Sequence, residues 1–167
     1  EHDRLLEIFS ETLSSGNMIV GLDNTSFEVN FAQFVNRRFC VAVGSGTSAL
    51  YLALRALNVS RHCEVIVPAI SWISTATAVL ACGATPVYVD VLEDGNINPQ
   101  AIKAAIGPRT AAVVGVNYFG QLAPWAEILE VCQSFSVPVI EDAAQSAGAL
   151  LEGQRSGSFG DISTFSF

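Results

Sequence analysis

The sequence predicts an α/β fold: a mainly parallel open sheet with helices on both faces. Three observations point there. Short β-branched runs alternate with helix-like segments along most of the chain. The runs are continuously apolar rather than alternating in polarity, as in strands covered on both sides. Small residues and polar punctuation cluster where each run gives way to the next helix.

The elements follow in order. Two amphipathic helices open the chain, the first lined by Leu5, Leu6, Ile8, Phe9 and Leu13 and the second by Phe27, Phe31, Phe34 and Val35. Thr25-Ser-Phe-Glu28 has the pattern of a capping box and predicts the start of the second. Six strands are expected at Cys40–Val43, Val65–Val67, Pro86–Val89, Ala111–Val116, Val137–Ile140 and Ile162–Phe167. A helix is expected over Leu50–Leu57. Asn98-Pro99 opens another, which Gly107 closes. Pro124 opens the last, with Trp125, Ile128, Leu129, Cys132 and Phe135 facing inward. No internal repeat, low-complexity tract or linker marks a domain boundary.

Composition excludes several functions. Of 167 residues half are hydrophobic, enough for one domain with a core. A net charge of −8, with eight basic residues scattered among sixteen acids, argues against a nucleic-acid partner. No apolar stretch reaches the ~18 residues of a membrane helix, and the first residues do not resemble a signal peptide. Cys40, Cys63, Cys82 and Cys132 are far apart, with neither a CxxC pair nor a histidine at ligand spacing, so no metal site is expected. They read as free thiols in a reducing, cytoplasmic setting.

In open α/β sheets ligands bind beyond the carboxyl ends of the strands. The first such joint is Gly44-Ser-Gly-Thr-Ser-Ala49, a small-residue turn into a helix that suits an anion at the helix N-terminus. A tight turn that needs glycine for its dihedrals accounts for either glycine alone, and for a lone motif it is the more common case. The same stretch fits the G-x-G-x-x-A dinucleotide fingerprint, but that reading needs an acid at the end of the next strand. There the chain has Val67-Pro68-Ala69-Ile70-Ser71-Trp72, so an NAD enzyme is disfavoured. Trp72 is suited to stacking on a planar ring, or to packing. At Val139-Ile-Glu-Asp-Ala-Ala-Gln145, neighbouring strand residues point to opposite faces. One of Glu141 and Asp142 therefore faces a ligand while the other packs. A carboxylate beneath a heteroaromatic ring, with a phosphate cradle at one end and an aromatic above, is what pyridoxal phosphate requires.

The series "VGSGTSALYLALRAL", "VIVPAISWISTATAVLACGATPVYVDV", "PRTAAVVGVNYFGQLAPW", "VPVIEDAAQSAGA" and "GSFGDISTFSF" resembles the DegT/DnrJ/StrS family of fold type I, pyridoxal 5'-phosphate-dependent sugar aminotransferases, from about Gly16 to the last residue. The resemblance implies that residues 1–167 are a partial large, cofactor-binding domain, incomplete at its C-terminus, with 1–38 a helical lead and the small C-terminal domain absent. It implies that the backbone at Gly46, Thr47 and Ser48 and the Ser166 hydroxyl hold the cofactor phosphate. Trp72 would stack on the ring, Asp142 would pair with the ring nitrogen, and Gln145 would bond near the 3-hydroxyl. Asn117 would lie close to the cofactor.

The activity so implied is transamination of a nucleotide-linked keto sugar with glutamate as amino donor, in a homodimer. The Schiff-base lysine is expected five residues after Ser166, beyond the last residue, and Lys103 reads as an ordinary surface residue. The chain itself is therefore expected to be inactive and to contain no catalytic residue. Two alternatives stand beside this reading: a sugar dehydratase of the same family, with histidine in the lysine position, and a truncated, non-catalytic polypeptide.

Overall fold

The computed structural model describes residues 1–16 and 21–167, in two compact units, Glu1–Ala42 and Val43–Phe167. The first contains helices α1 (His2–Ser15) and α2 (Leu22–Phe34). In α1 the expected apolar stripe forms but stays exposed, with Leu5 and Phe9 each more than half accessible. In α2 the rings of Phe27 and Phe31 stack at 5.4 Å, while Ala32 and Val35 are the buried residues of that stretch. The expected capping box does not start this helix. Gly21 is the N-cap, Thr25 lies inside the first turns, and the Glu28 carboxylate accepts from the Ala42 N–H at 2.8 Å. Asp23 in the first turn meets the helix dipole.

The second unit is an α/β layer structure. Its elements are α3 (Gly46–Ala56), β1 (Glu64–Pro68), α4 (Ile73–Ala81), β2 (Thr85–Val89), α5 (Pro99–Ala105), β3 (Thr110–Val116), α6 (Trp125–Ser134), β4 (Val139–Asp142), the short pair β5 (Leu150–Leu151) and β6 (Gln154–Arg155), and β7 (Ile162–Thr164). Five strands form a wholly parallel sheet in the order β2-β1-β3-β4-β7. Capping is legible in sequence: Asn98 accepts from the Gln100 N–H with Pro99 as the first helical residue. Strand parity sorts the core. Val65, Val67, Ala112, Val114 and Ile140 pack under α3 and α4 with Leu54 and Val79. Ile66, Val113 and Val139 pack under α5 and α6 with Ile102, Trp125 and Ile128. On this second face, Gly115 leaves room for the Trp125 indole, which a Cβ there would meet at 2.7 Å.

Two of the expected strands change. Residues 40–43 are not a strand: among the described residues nothing in the sheet pairs with them, and Val41 is three-quarters exposed. β-branched residues suit a strand only when a neighbour completes the ladder. The last strand stops at Thr164 rather than Phe167, where pairing with β4 ends at Asp142. The antiparallel β5–β6 pair, joined by Glu152 and Gly153 at positive φ, was not anticipated, since its strands are only two residues long.

Candidate functional site

The carboxyl ends of β1, β3, β4 and β7 converge with the N-terminus of α3 around an open cleft of about 180 Å³. The site lies where strand order reverses between β1 and β3, the usual place for a ligand in such a sheet. Of the residues anticipated from sequence, Gly46, Thr47, Trp72, Asp142, Gln145 and Ser166 line this cleft together.

The α3 terminus opens on the cleft with N–H groups that could receive an anion. Helix-opening N–H groups have no acceptor four residues back. Ser45, the N-cap, takes one of them, the Ser48 N–H, at 3.1 Å. Ser48 therefore turns inward to Ser45, its hydroxyl 3.0 Å from that of Ser45, and it does not line the cleft. Ser45 itself was legible as a small polar residue directly before a helical run but was not singled out. Gly46 does not need unusual dihedrals; it needs space. A Cβ there would stand 2.9 Å from Ser166 Cβ and 3.4 Å from the Phe165 carbonyl oxygen. Gly46→Ala should push Phe165 and Ser166, just after β7, away from α3, at a cost of about 1–3 kcal/mol. We expect affinity for a phosphate-bearing cofactor to fall about tenfold or more in the full-length protein, read by absorbance titration. Unchanged affinity would mean that this approach does not form the anion site.

The two adjacent carboxylates of β4 face opposite ways, as expected. Glu141 is fully buried on the α6 side and saturated. It accepts from Asn117 Nδ2 at 2.8 Å, Ser156 Oγ at 3.2 Å and the N–H groups of Gly157 and Phe159 at 2.8 and 2.9 Å. Burial pushes its carboxyl above the usual range, and these four donors oppose the rise. Asp142 is 5 % exposed at the floor of the cleft. Its donors are few and long: the Ala144 N–H at 3.2 Å and Thr75 Oγ1 at 3.4 Å. Burial pushes this carboxyl up too, with those two bonds opposing.

Asn117 lies behind the sheet, not in the cleft. Its parity continues Val113 and Gly115 toward α6, whereas Val116 points into the cleft. The Asn117 amide is fully engaged. Besides Glu141 it donates to Ser146 Oγ at 3.0 Å, and it accepts from the Ala123 N–H at 3.1 Å and Trp125 Nε1 at 2.9 Å. Strand parity was the signal that could have placed it.

Trp72, the N-cap of α4, is 71 % exposed at the cleft wall. Across the site the Gln145 amide is oriented by the chain itself. Its Oε1 accepts from the Phe119 N–H at 2.7 Å, which leaves Nε2 as the donor it offers. Phe119 sits in the left-handed region (φ 51°, ψ 27°) in the three-residue turn after β3. Burial pushes the Cys132 thiol up to about 11, and all four cysteines are free. No helix among the described residues is long and apolar enough to cross a membrane.

Known proteins resemble this chain along its whole length. Residues 1–167 match the family described as the DegT/DnrJ/EryC1/StrS aminotransferase family. GDP-perosamine synthase of Caulobacter vibrioides is 41% identical over 168 residues, covering 100% of this chain and 44% of that protein. UDP-2-acetamido-2-deoxy-3-oxo-D-glucuronate aminotransferase of Pseudomonas aeruginosa is 38% identical over 166 residues, covering 99% and 46%. Among solved structures, S. venezuelae DesV in complex with a ketimine intermediate matches with a TM-score of 0.91 at 38% identity, covering 95% of this chain and 43% of that one. The chain thus spans less than half the length of these relatives.

Proposed function

The chain belongs to the DegT/DnrJ/EryC1/StrS aminotransferase family, and we propose that the protein it forms transfers an amino group to a nucleotide-linked keto sugar, using pyridoxal 5'-phosphate. Its sheet is that of the cofactor domain of fold type I aminotransferases. The names of the two relatives, one a GDP-sugar synthase and one a UDP-sugar aminotransferase, support the substrate class.

The observation that carries this reading is the contrast on β4. Glu141 has four donors and needs nothing more; Asp142, equally sheltered, has two long bonds and faces the cleft. A buried carboxylate so placed calls for a cationic N–H donor, and a protonated pyridine nitrogen is one. The rest of the donor set fits the same group. The open N–H groups of Gly46 and Thr47, with the Ser166 hydroxyl, suit a phosphate. Trp72 offers an aromatic face for a planar ring, and Gln145 Nε2 offers a donor to a ring oxygen. In this proposal Ser48 acts only by shaping the helix start through Ser45, and Asn117 acts from behind the sheet.

When bound, the cofactor supplies an electron sink for the carbon that exchanges its proton. Asp142 holds the proton on the ring nitrogen, and the α3 terminus and Ser166 fix the opposite end. No lysine lines the cleft; Lys103 is exposed on α5. The proposal includes glutamate as donor, a homodimer and a cytoplasmic setting, the last supported by four free thiols.

The test is an assay of the full-length protein with pyridoxal phosphate, glutamate and GDP- or UDP-linked keto sugars. We expect amino sugar and 2-oxoglutarate in equal amounts. Release of 2-oxoglutarate from glutamate with no keto sugar aminated would retain the cofactor and overturn the substrate class.

A further inference from the structure

Phe119 presents a physical anomaly that the site described so far does not use. Of the non-glycine residues at positive φ among those described, it is the only one with an apolar side chain. Bulky side chains rarely adopt that conformation, and glycine would adopt it freely. Burial does not explain the residue either. Its side chain is 82 % exposed, among the most exposed of the large apolar residues described, and its ring meets that of Tyr118 only at a tilt, 4.4 Å between centroids.

The conformation is nevertheless held firmly. The Phe119 N–H donates to Gln145, the Tyr118 N–H to Asn96 Oδ1 at 3.1 Å, and the Gly120 N–H to the Asn117 carbonyl at 3.3 Å. Gln121 Nε2 donates to Asp94 Oδ2 at 2.9 Å, and Asp94 in turn holds Asn96. Every bond to the turn's backbone uses a main-chain group that any residue other than proline would supply at position 119. Among the described residues the turn is therefore held without the ring. Strain retained where the fold gains nothing from the side chain points to a ligand.

The turn follows β3 at the cleft edge of the sheet, and Gln145 ties it to the cleft wall. We propose that Phe119 is a substrate-contacting residue, its exposed ring receiving the apolar C–H face of the keto sugar beside the cofactor cleft. The proposal rests on the sugar aminotransferase reading above. An aromatic face suits a hexose because the axial C–H groups of the ring present an apolar patch between polar hydroxyls. The cofactor contact is left to Gln145, whose orientation needs only the main-chain N–H at 119.

The experiment compares Phe119→Gly, Phe119→Asn and Phe119→Tyr in the full-length enzyme. Glycine and asparagine both accept the left-handed conformation and keep the N–H that orients Gln145. For both we expect KM for the keto sugar to rise about tenfold. KM for glutamate and affinity for pyridoxal phosphate should stay within about twofold, with a melting temperature no lower than the parent's. Phe119→Tyr, which restores a ring, should keep KM near the parent value. An unchanged sugar KM in the glycine and asparagine variants overturns the proposal and leaves the aminotransferase reading intact. So does a parallel loss of cofactor affinity, dimer content and melting temperature, which would make the ring a packing element. Failure of the parent enzyme to aminate any keto sugar would instead sink the reading beneath it.

Discussion

Asp142→Asn should lower kcat of the full-length enzyme by roughly 10²–10³-fold, the scale on which one electrostatic stabiliser of a developing charge acts, while leaving the fold intact. The asparagine side chain fills the same space, and its Oδ1 still accepts from the Ala144 N–H. It cannot hold a proton on a pyridine nitrogen. Cofactor affinity should fall with turnover. Unaltered turnover would mean that another group partners the ring.

A second signature of Asp142 is visible without cofactor. Burial raises the carboxyl's folded-state pKa, so the protonated form is favoured by folding. Stability from this group is complete below its unfolded value of about 3.9 and is lost as pH rises through the higher folded value. Asparagine mimics the protonated form at every pH. Asp142→Asn should therefore gain stability relative to the parent as pH rises across the acidic range, read by urea denaturation of the cofactor-free protein. A difference that shrinks with rising pH would contradict the sign of the shift.

Glu141→Ala is expected to be the most disruptive single change to stability, at about 3–5 kcal/mol. The N–H groups of Gly157 and Phe159 would lose their carboxylate acceptor inside the protein, each such loss costing about 1–3 kcal/mol, while Asn117 Nδ2 and Ser156 Oγ would keep Ser146 Oγ as a partner. Glutamine should recover only part of this. Its Oε1 can replace one carboxylate oxygen, but its Nε2 would confront the Phe159 N–H, donor against donor. The check is a thermal or urea unfolding series of parent, Glu141→Gln and Glu141→Ala, in that order of stability. Near-equal stability of parent and alanine variant would show that the Gly157–Phe159 turn is held by other means.

Continuous apolar runs bounded by turn residues identified all five parallel strands: β1, β3 and β4 are buried in the middle of the sheet, and the edge strand β2 keeps the β-branched signal although Tyr88 is exposed. Residues 40–43 carry the same signal and form no strand, since propensity cannot supply a partner. Thr25 and Glu28 have the spacing of a capping box, yet Glu28 is used by Ala42, a contact between residues distant in sequence. In the cleft, Gly46, Thr47, Trp72 and Asp142 were legible because each stands at a strand or helix end, whereas Gln145 and Ser166 were anticipated through the family resemblance. Ser48 and Asn117 stand at such ends too, but their environments are decided by Ser45 and by Glu141. The αL turn at Phe119 carries no sequence signal, because neither glycine nor asparagine occupies it.

The close approach of Gly46 to Ser166 bears on the order in which the second unit assembles. One residue lies near the beginning of that unit and the other near its end, so the anion site does not exist in any partly folded chain that has yet to dock β7 beside β4. Closing so long a loop is entropically costly and comes late. Under the proposed function, cofactor capture would wait until β7 has docked beside β4, and a chain in which it has not docked would offer pyridoxal phosphate half of a cradle.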